Sequence, residues 1–222
     1  MKTSLLFLSL CLTITFCKSQ SNSEAFFNSS TSVYTLNFRD KSIQGSQYID
    51  ENFLIGKLSI NDKLYTYRFN AYRDEFEFIM DGKPYYLPKA YNYTLTLSGI
   101  NKIYKVFQFK KDSQLKDGFF VILATAINYT LLLKEEIKLS NEVVPKSGYE
   151  KYQPPTLKRV KDTFFIGFSD NTAVEIPKKK KEFYSLFNGQ SKKVEAFVKS
   201  NKLSIKKKED LLLLFKYLQS LN

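Results

Sequence analysis

The chain contains no histidine and no tryptophan, and its two cysteines, Cys11 and Cys17, both lie near the N-terminus. Each absence removes a class of chemistry. Without imidazole there is no Ser-His-Asp triad, and beyond Cys17 there is neither a thiol nucleophile nor a zinc site of imidazole and thiolate ligands. Carboxylate-only hydrolysis and oxygen-ligand calcium or magnesium sites stay open. Arginine is scarce too, with Arg39, Arg68, Arg73 and Arg159 the only four among 34 Lys and Arg residues. Since arginine is favoured for bidentate phosphate and base recognition, no nucleic-acid partner is expected. No cofactor is implied.

What is present begins with an export signal. Lys2 precedes an apolar run from Leu5 to Phe16, and Cys17 and Ser19 are placed like the small residues of a signal-peptidase site before Gln20. The apolar core is about a dozen residues, short of the roughly twenty a spanning helix needs. Residues 1–19 therefore read as a cleavable leader rather than an anchor. No transmembrane span is expected after processing, and the expected location is periplasmic or extracellular. A lipoprotein reading would acylate Cys17, but Thr15-Phe16 ahead of it lacks the small residues of such a site. Cleavage before Gln20 removes both cysteines, so the remainder must hold itself together by its core alone, which about 200 residues can do.

After a polar leader over residues 20–31, the chain becomes a succession of short alternating segments rich in Tyr, Phe, Ile, Val and Thr. Strands are predicted over 32–39, 53–60, 63–70, 74–80, 83–87, 92–97, 102–110, 119–124, 128–133, 156–160, 163–168 and 172–176. Asn61-Asp62, Asp81-Gly82, Ser98-Gly99, Asp117-Gly118 and Asp170-Asn171 supply turn chemistry between them. The fold class is β-rich (α+β): an antiparallel meander, sandwich or barrel, over 32–176, with a small C-terminal helical module over 177–222. Ile127 to Leu139 has a helical alternative, because its apolar residues run together instead of alternating. Asn141 to Pro155 reads as a long loop. An outer-membrane barrel fits less well, since the runs lack a regular rhythm of about ten residues and the chain ends in a helical pattern.

The helical module carries most of the charge. Formal charge is +12 overall, and residues 178–222 hold twelve lysines against Glu182, Glu195, Glu209 and Asp210. Helices are predicted near 179–187, from Ser191 as a cap, and over 207–221. The last has an apolar stripe at Leu211, Leu214, Phe215 and Leu218, expected to pack on the other helices or the β body. Lys178, Lys179, Lys180, Lys181 and Lys206, Lys207, Lys208 form two basic runs, candidates for binding an anionic surface if they share a face.

The densest polar constellation spans Tyr65 to Phe78. In a strand from Asp74, Phe76 and Phe78 face inward while Glu75 and Glu77 face outward, about 6.8 Å apart along the strand. The two carboxylates are candidates for holding a cation or for acid–base chemistry. The competing reading is a half-buried strand with solvent-facing Glu75 and Glu77, paired across the hairpin with Arg68.

The stretch from Gly45, Ser46 and Tyr48 through Arg68, Phe69, Asn70, Tyr72, Asp74 and Glu75 resembles uncharacterised exported proteins of Bacteroidota, as does the Lys-rich helical end. That resemblance implies the cell envelope and no particular activity. The expectation is a non-catalytic exported binding or scaffold protein, partnered by an anionic envelope surface or another envelope protein. The alternatives are a carboxylate-dependent hydrolase of envelope or extracellular polymer, or a β-barrel carrier of an apolar ligand.

Overall fold

The computed structural model describes residues 43–146 and 151–221. The leader over 1–19, the polar stretch 20–31 and the strand predicted over 32–39 lie outside the described residues. In chain order the strands are β1 (Gln44–Gly45), β2 (Leu54–Leu58), β3 (Leu64–Asn70), β4 (Glu75–Met80), β5 (Lys83–Tyr86) and β6 (Thr94–Leu97). Then follow β7 (Lys102–Lys111), β8 (Gln114–Thr125), β9 (Tyr129–Lys134), β10 (Ile137–Ser140), β11 (Thr156–Arg159), β12 (Thr163–Phe168) and β13 (Thr172–Glu175). Three helices end the chain: α1 (Lys180–Ser185), α2 (Ser191–Ser200) and α3 (Lys208–Ser220).

The protein is β-rich, and its centre is a closed five-stranded barrel. Strands β7, β8, β9, β12 and β13 follow one another antiparallel, and β13 returns to β7 in parallel, with Ala173 opposite Phe109. The long strand β7 makes closure possible by dividing one edge: Lys102–Lys105 pairs with β6, and Gln108–Phe109 pairs with β13. From β6 the sheet continues through β2, β3 and β4 to β5. A small separate sheet of β1, β11 and β10 lies alongside.

Three apolar clusters follow from this wrapping. Phe107, Phe109, Phe120, Leu132, Phe165 and Ala173, one or two from each barrel strand, fill the interior. Ring edges meet faces there, with Phe120 5.0 Å from Phe165 and 5.2 Å from Phe109. The alternate residues Tyr104, Val106, Phe119, Val121 and Leu133 point outward onto Tyr67, Phe69, Phe76, Phe78 and Leu95 of the extended sheet. Tyr129, Leu131 and Ile166 point outward elsewhere, onto Phe183, Phe187, Val194, Leu214 and Phe215 of the helices. Strands β7, β8, β9 and β12 are thus apolar on both faces. This corrects the helical alternative for Ile127 to Leu139: the run fails to alternate because β9 is covered inside and outside.

Two local expectations also change. Asp117-Gly118 is not a turn but lies within β8, and the hairpin reverses at Asp112-Ser113, both at positive φ (51° and 66°). Ser191 does not cap α2; it is the first helical residue, preceded by Gln190 without a side-chain cap bond. Elsewhere the local signals hold. Asp81-Gly82 reverses β4 into β5 with both residues left-handed (φ 50° and 72°), as a primed hairpin turn requires. The stripe Leu211, Leu214, Phe215 and Leu218 is buried against the rest of the helical cluster, and no helix among the described residues is long and apolar enough to cross a membrane.

Candidate functional site

The paired carboxylates of β4 part company. Arg68 sits directly opposite Glu77 in the β3–β4 register, and its Nη2 and Nε donate to Glu77 Oε2 at 2.7 and 3.2 Å. Tyr48 Oη donates to Glu77 Oε1 at 3.0 Å, and the guanidinium lies 3.8 Å over the Tyr48 ring and 4.4 Å from that of Phe53. The expected Arg68 pairing is present, but Glu77 is not solvent-facing: it is 6% exposed. The cause is the segment before β2, which folds over this side of the sheet, with Tyr48 bridging Asn70. Burial, and then the Glu77 charge, push the Tyr48 hydroxyl above its ordinary pKa.

Glu75 is half-buried, and its Oε2 is enclosed without a hydrogen-bond partner. Burial raises its carboxyl above the usual range, against the pull of Arg73 and Lys89. A carboxylate clamped by arginine and tyrosine is not free to bind metal or move protons. Among the described residues no group of three or more acids, cysteines or histidines is placed to hold a metal ion.

The two lysine runs behave differently. Strand β13 ends at Glu175, and Pro177, which has no N–H to continue the ladder, turns the chain toward α1. The connection between α2 and α3 returns beside it, anchored by buried Leu203 and Ile205. Lys180 Nζ reaches across to the Leu203 carbonyl at 3.4 Å, and Asp210 Oδ2 accepts the Ser204 N–H at 2.8 Å. Between these walls and the start of β12 runs an open groove of about 330 Å³. Its floor is Phe164, Ile176, Pro177 and Ile205, and Lys161, Lys178 and Lys206 stand on its rim. The first run and the second therefore meet across one groove.

No family model, curated protein or solved structure matches the chain.

The seven lysines are all exposed. Lys179 pairs with Glu182 at 3.2 Å, whereas Lys178, Lys181, Lys206, Lys207 and Lys208 make no ion pair among the described residues. Of the acids on the groove, Asp162 is held by Arg159 at 3.0 Å and Glu175 is exposed.

Two buried charges escaped the sequence reading. Glu135, 2% exposed, accepts from Lys102 (2.7 Å), Tyr104 Oη (2.6 Å) and Arg159 (2.8 Å), tying the barrel to the small sheet. Lys134 points the other way, into the barrel, beneath Asp74. In "LLLKEE" no local signal separates these residues from solvated ones. The period of two, counted on from Leu132, is the only hint that Lys134 faces inward.

Proposed function

We propose that this protein is an exported, non-catalytic binding or scaffold protein of the cell envelope, seated on anionic surfaces through the groove between barrel and helices. The observation that carries the reading is the meeting of Lys178 and Lys206, one from each basic run, across a single groove with an apolar floor. A lysine near an anionic surface contributes on the order of 1 kcal/mol, fading within a Debye length of about 8 Å at physiological salt. Several unpaired lysines around one opening therefore suffice to localise the protein, and the apolar floor adds a place for a non-polar neighbour of the anionic group. The leader before Gln20 supports export.

The acid pair on which the hydrolase alternative rested is not free, since Glu77 is engaged by Arg68 and Tyr48. The carrier alternative lacks room, since phenylalanine fills the barrel. Vesicle co-sedimentation tests the proposal. Phosphatidylglycerol-containing vesicles should retain the protein without its leader at low salt and release it as salt rises. A variant with Lys178–Lys181 and Lys206–Lys208 all changed to Gln should stay in the supernatant. Equal retention of both proteins, or retention indifferent to salt, would overturn it.

A further inference from the structure

At one mouth of the barrel lies a second cavity, of about 200 Å³, distinct from the groove. Its floor is Lys134, the last residue of β9, whose side chain is about one-tenth exposed. The ammonium lies 4.9 Å from the Phe120 ring centre and 5.4 Å from that of Phe109, at the end of the aromatic filling. It donates to Asp74 Oδ1 at 2.5 Å and to the Phe119 carbonyl at 2.9 Å, which uses two of its three protons. Asp74 is delivered by the β3–β4 turn in a left-handed conformation (φ 59°), and its Oδ2 accepts from Lys89 at 3.3 Å. Gly118 permits this approach: a Cβ there would stand 2.8 Å from Asp74 Oδ2 and 2.9 Å from Lys134 Nζ. Burial pushes the Lys134 amine below its ordinary pKa, and Asp74 opposes the shift.

The charge around the cavity does not balance. Arg73, Lys89, Lys111, Lys116 and Lys134 line it against Asp74, Asp117 and Glu136. Those three carboxylates are already engaged. Asp74 holds two lysines, Asp117 takes a very short bond from Tyr91 Oη, and Glu136 holds Lys111 at 2.5 Å and Lys138 at 3.4 Å. Burial works to raise the Glu136 carboxyl, but Lys111 and then Lys138 outweigh it and keep it below the usual range. Lys116 is exposed and has no ion-pair partner among the described residues. The cavity is also smaller than the roughly 300 Å³ at which sites for drug-sized molecules begin.

We propose that this barrel mouth is a binding site for a small doubly charged oxyanion, held by Lys89, Lys111 and Lys116 above the Lys134 floor. A dianion cancels the excess of cations over carboxylates that the lining carries, and the acids are too committed to repel it strongly. The site is independent of the groove and of the envelope reading.

Calorimetric titration of the leaderless protein at constant ionic strength tests it. Sodium phosphate and sodium succinate are the probes, and the tighter of the two separates a phosphate source from a dicarboxylate one. Saturable one-site binding of at least one probe is expected. Lys111→Gln/Lys116→Gln should weaken it at least fivefold, while Lys178→Gln/Lys206→Gln in the groove should leave it within twofold. Lys116→Gln alone changes an exposed, unpaired side chain and cannot act by unfolding; it should weaken binding at least threefold. No saturable heat with either probe, a smaller loss in the barrel-mouth variants, or an equal loss in the groove variant would overturn the proposal.

Discussion

Replacing Asp74 by Asn removes one charge and almost no volume, and asparagine tolerates the left-handed φ of 59° held at that turn. The backbone is kept, Lys89 and Lys134 both lose their counter-ion, and the greater cost falls on the buried Lys134, whose ammonium keeps the Phe119 carbonyl and two aromatic faces. Removing one partner of a buried ion pair costs about 3–5 kcal/mol. The Asp74 side chain is 22% exposed, and an asparagine oxygen still accepts a hydrogen bond, so a loss of about 2–3 kcal/mol is expected. With a urea m-value of about 1–3 kcal/mol/M, the midpoint falls by roughly 0.7–3 M. Adding Lys134→Met removes the stranded ammonium and puts an apolar side chain against Phe109 and Phe120. The double variant is expected to be more stable than Asp74→Asn alone, by about 1 kcal/mol or more.

The effect has a defined pH dependence. Burial lowers the Lys134 pKa in the folded protein, so the unfolded chain binds more protons in the window between the folded value and about 10.4. The burial penalty is fully present below the folded pKa and is relieved as pH rises through that window. Losing Asp74 lowers the folded pKa further, so the deficit of Asp74→Asn against the parent should be largest near pH 7 and shrink toward pH 9.5. Equilibrium urea unfolding of the parent, both single variants and the double at the two pH values measures all of this. An Asp74→Asn protein within about 0.5 kcal/mol of the parent at pH 7, or a double variant showing the sum of the single losses, would refute the reasoning.

The carboxylates of β4 should separate by mutation. Glu77→Gln takes the charge from a buried bond to Arg68 and should cost about 1.5–3 kcal/mol, seen as a lower thermal midpoint. Glu75→Gln should leave the midpoint unchanged or slightly raised at pH 7. The raised Glu75 pKa makes its ionised form costly, so any gain should vanish below about pH 4, where the native carboxyl is protonated; equal losses in the two variants would contradict this assignment. Gly118→Ala forces a methyl group between Asp74, Phe109 and Lys134 and should cost about 1–3 kcal/mol by denaturant unfolding. A neutral result would show that the pair does not need the close approach.

The candidate sites were legible in part. The two lysine runs are visible in the chain, and so is the Arg68–Glu77 pairing, because a hairpin register is local. The burial of Glu77 was not visible. It depends on Tyr48, which reaches it from the preceding segment, 29 residues away in sequence, while Phe53 covers its partner Arg68. Gly118 was misread for a related reason. Asp-Gly carries turn chemistry wherever it stands, and the demand for glycine there comes from Asp74, 44 residues earlier, and Lys134, 16 residues later.

The sequence by itself determined the strands from β2 onward to within a few residues, except β10 over Ile137–Ser140, which it did not mark, together with the primed turn at Asp81-Gly82 and three helices at the end. Each of these is a property of a short window, set by period, propensity and the φ that a turn residue tolerates. Tertiary structure alone decided that the meander closes into a barrel. Closure needs β7 long enough to share one edge between β6 and β13, whose pairing residues Phe109 and Ala173 lie 64 positions apart. Closure then set the rest: which face of β9 became an interior, that Lys134 and Glu135 would be buried on opposite sides, and that the connection before α3 would return beside Pro177, bringing Lys206 across from Lys178. Periodicity says that a strand has two faces, and only the closed sheet says what lies against each of them.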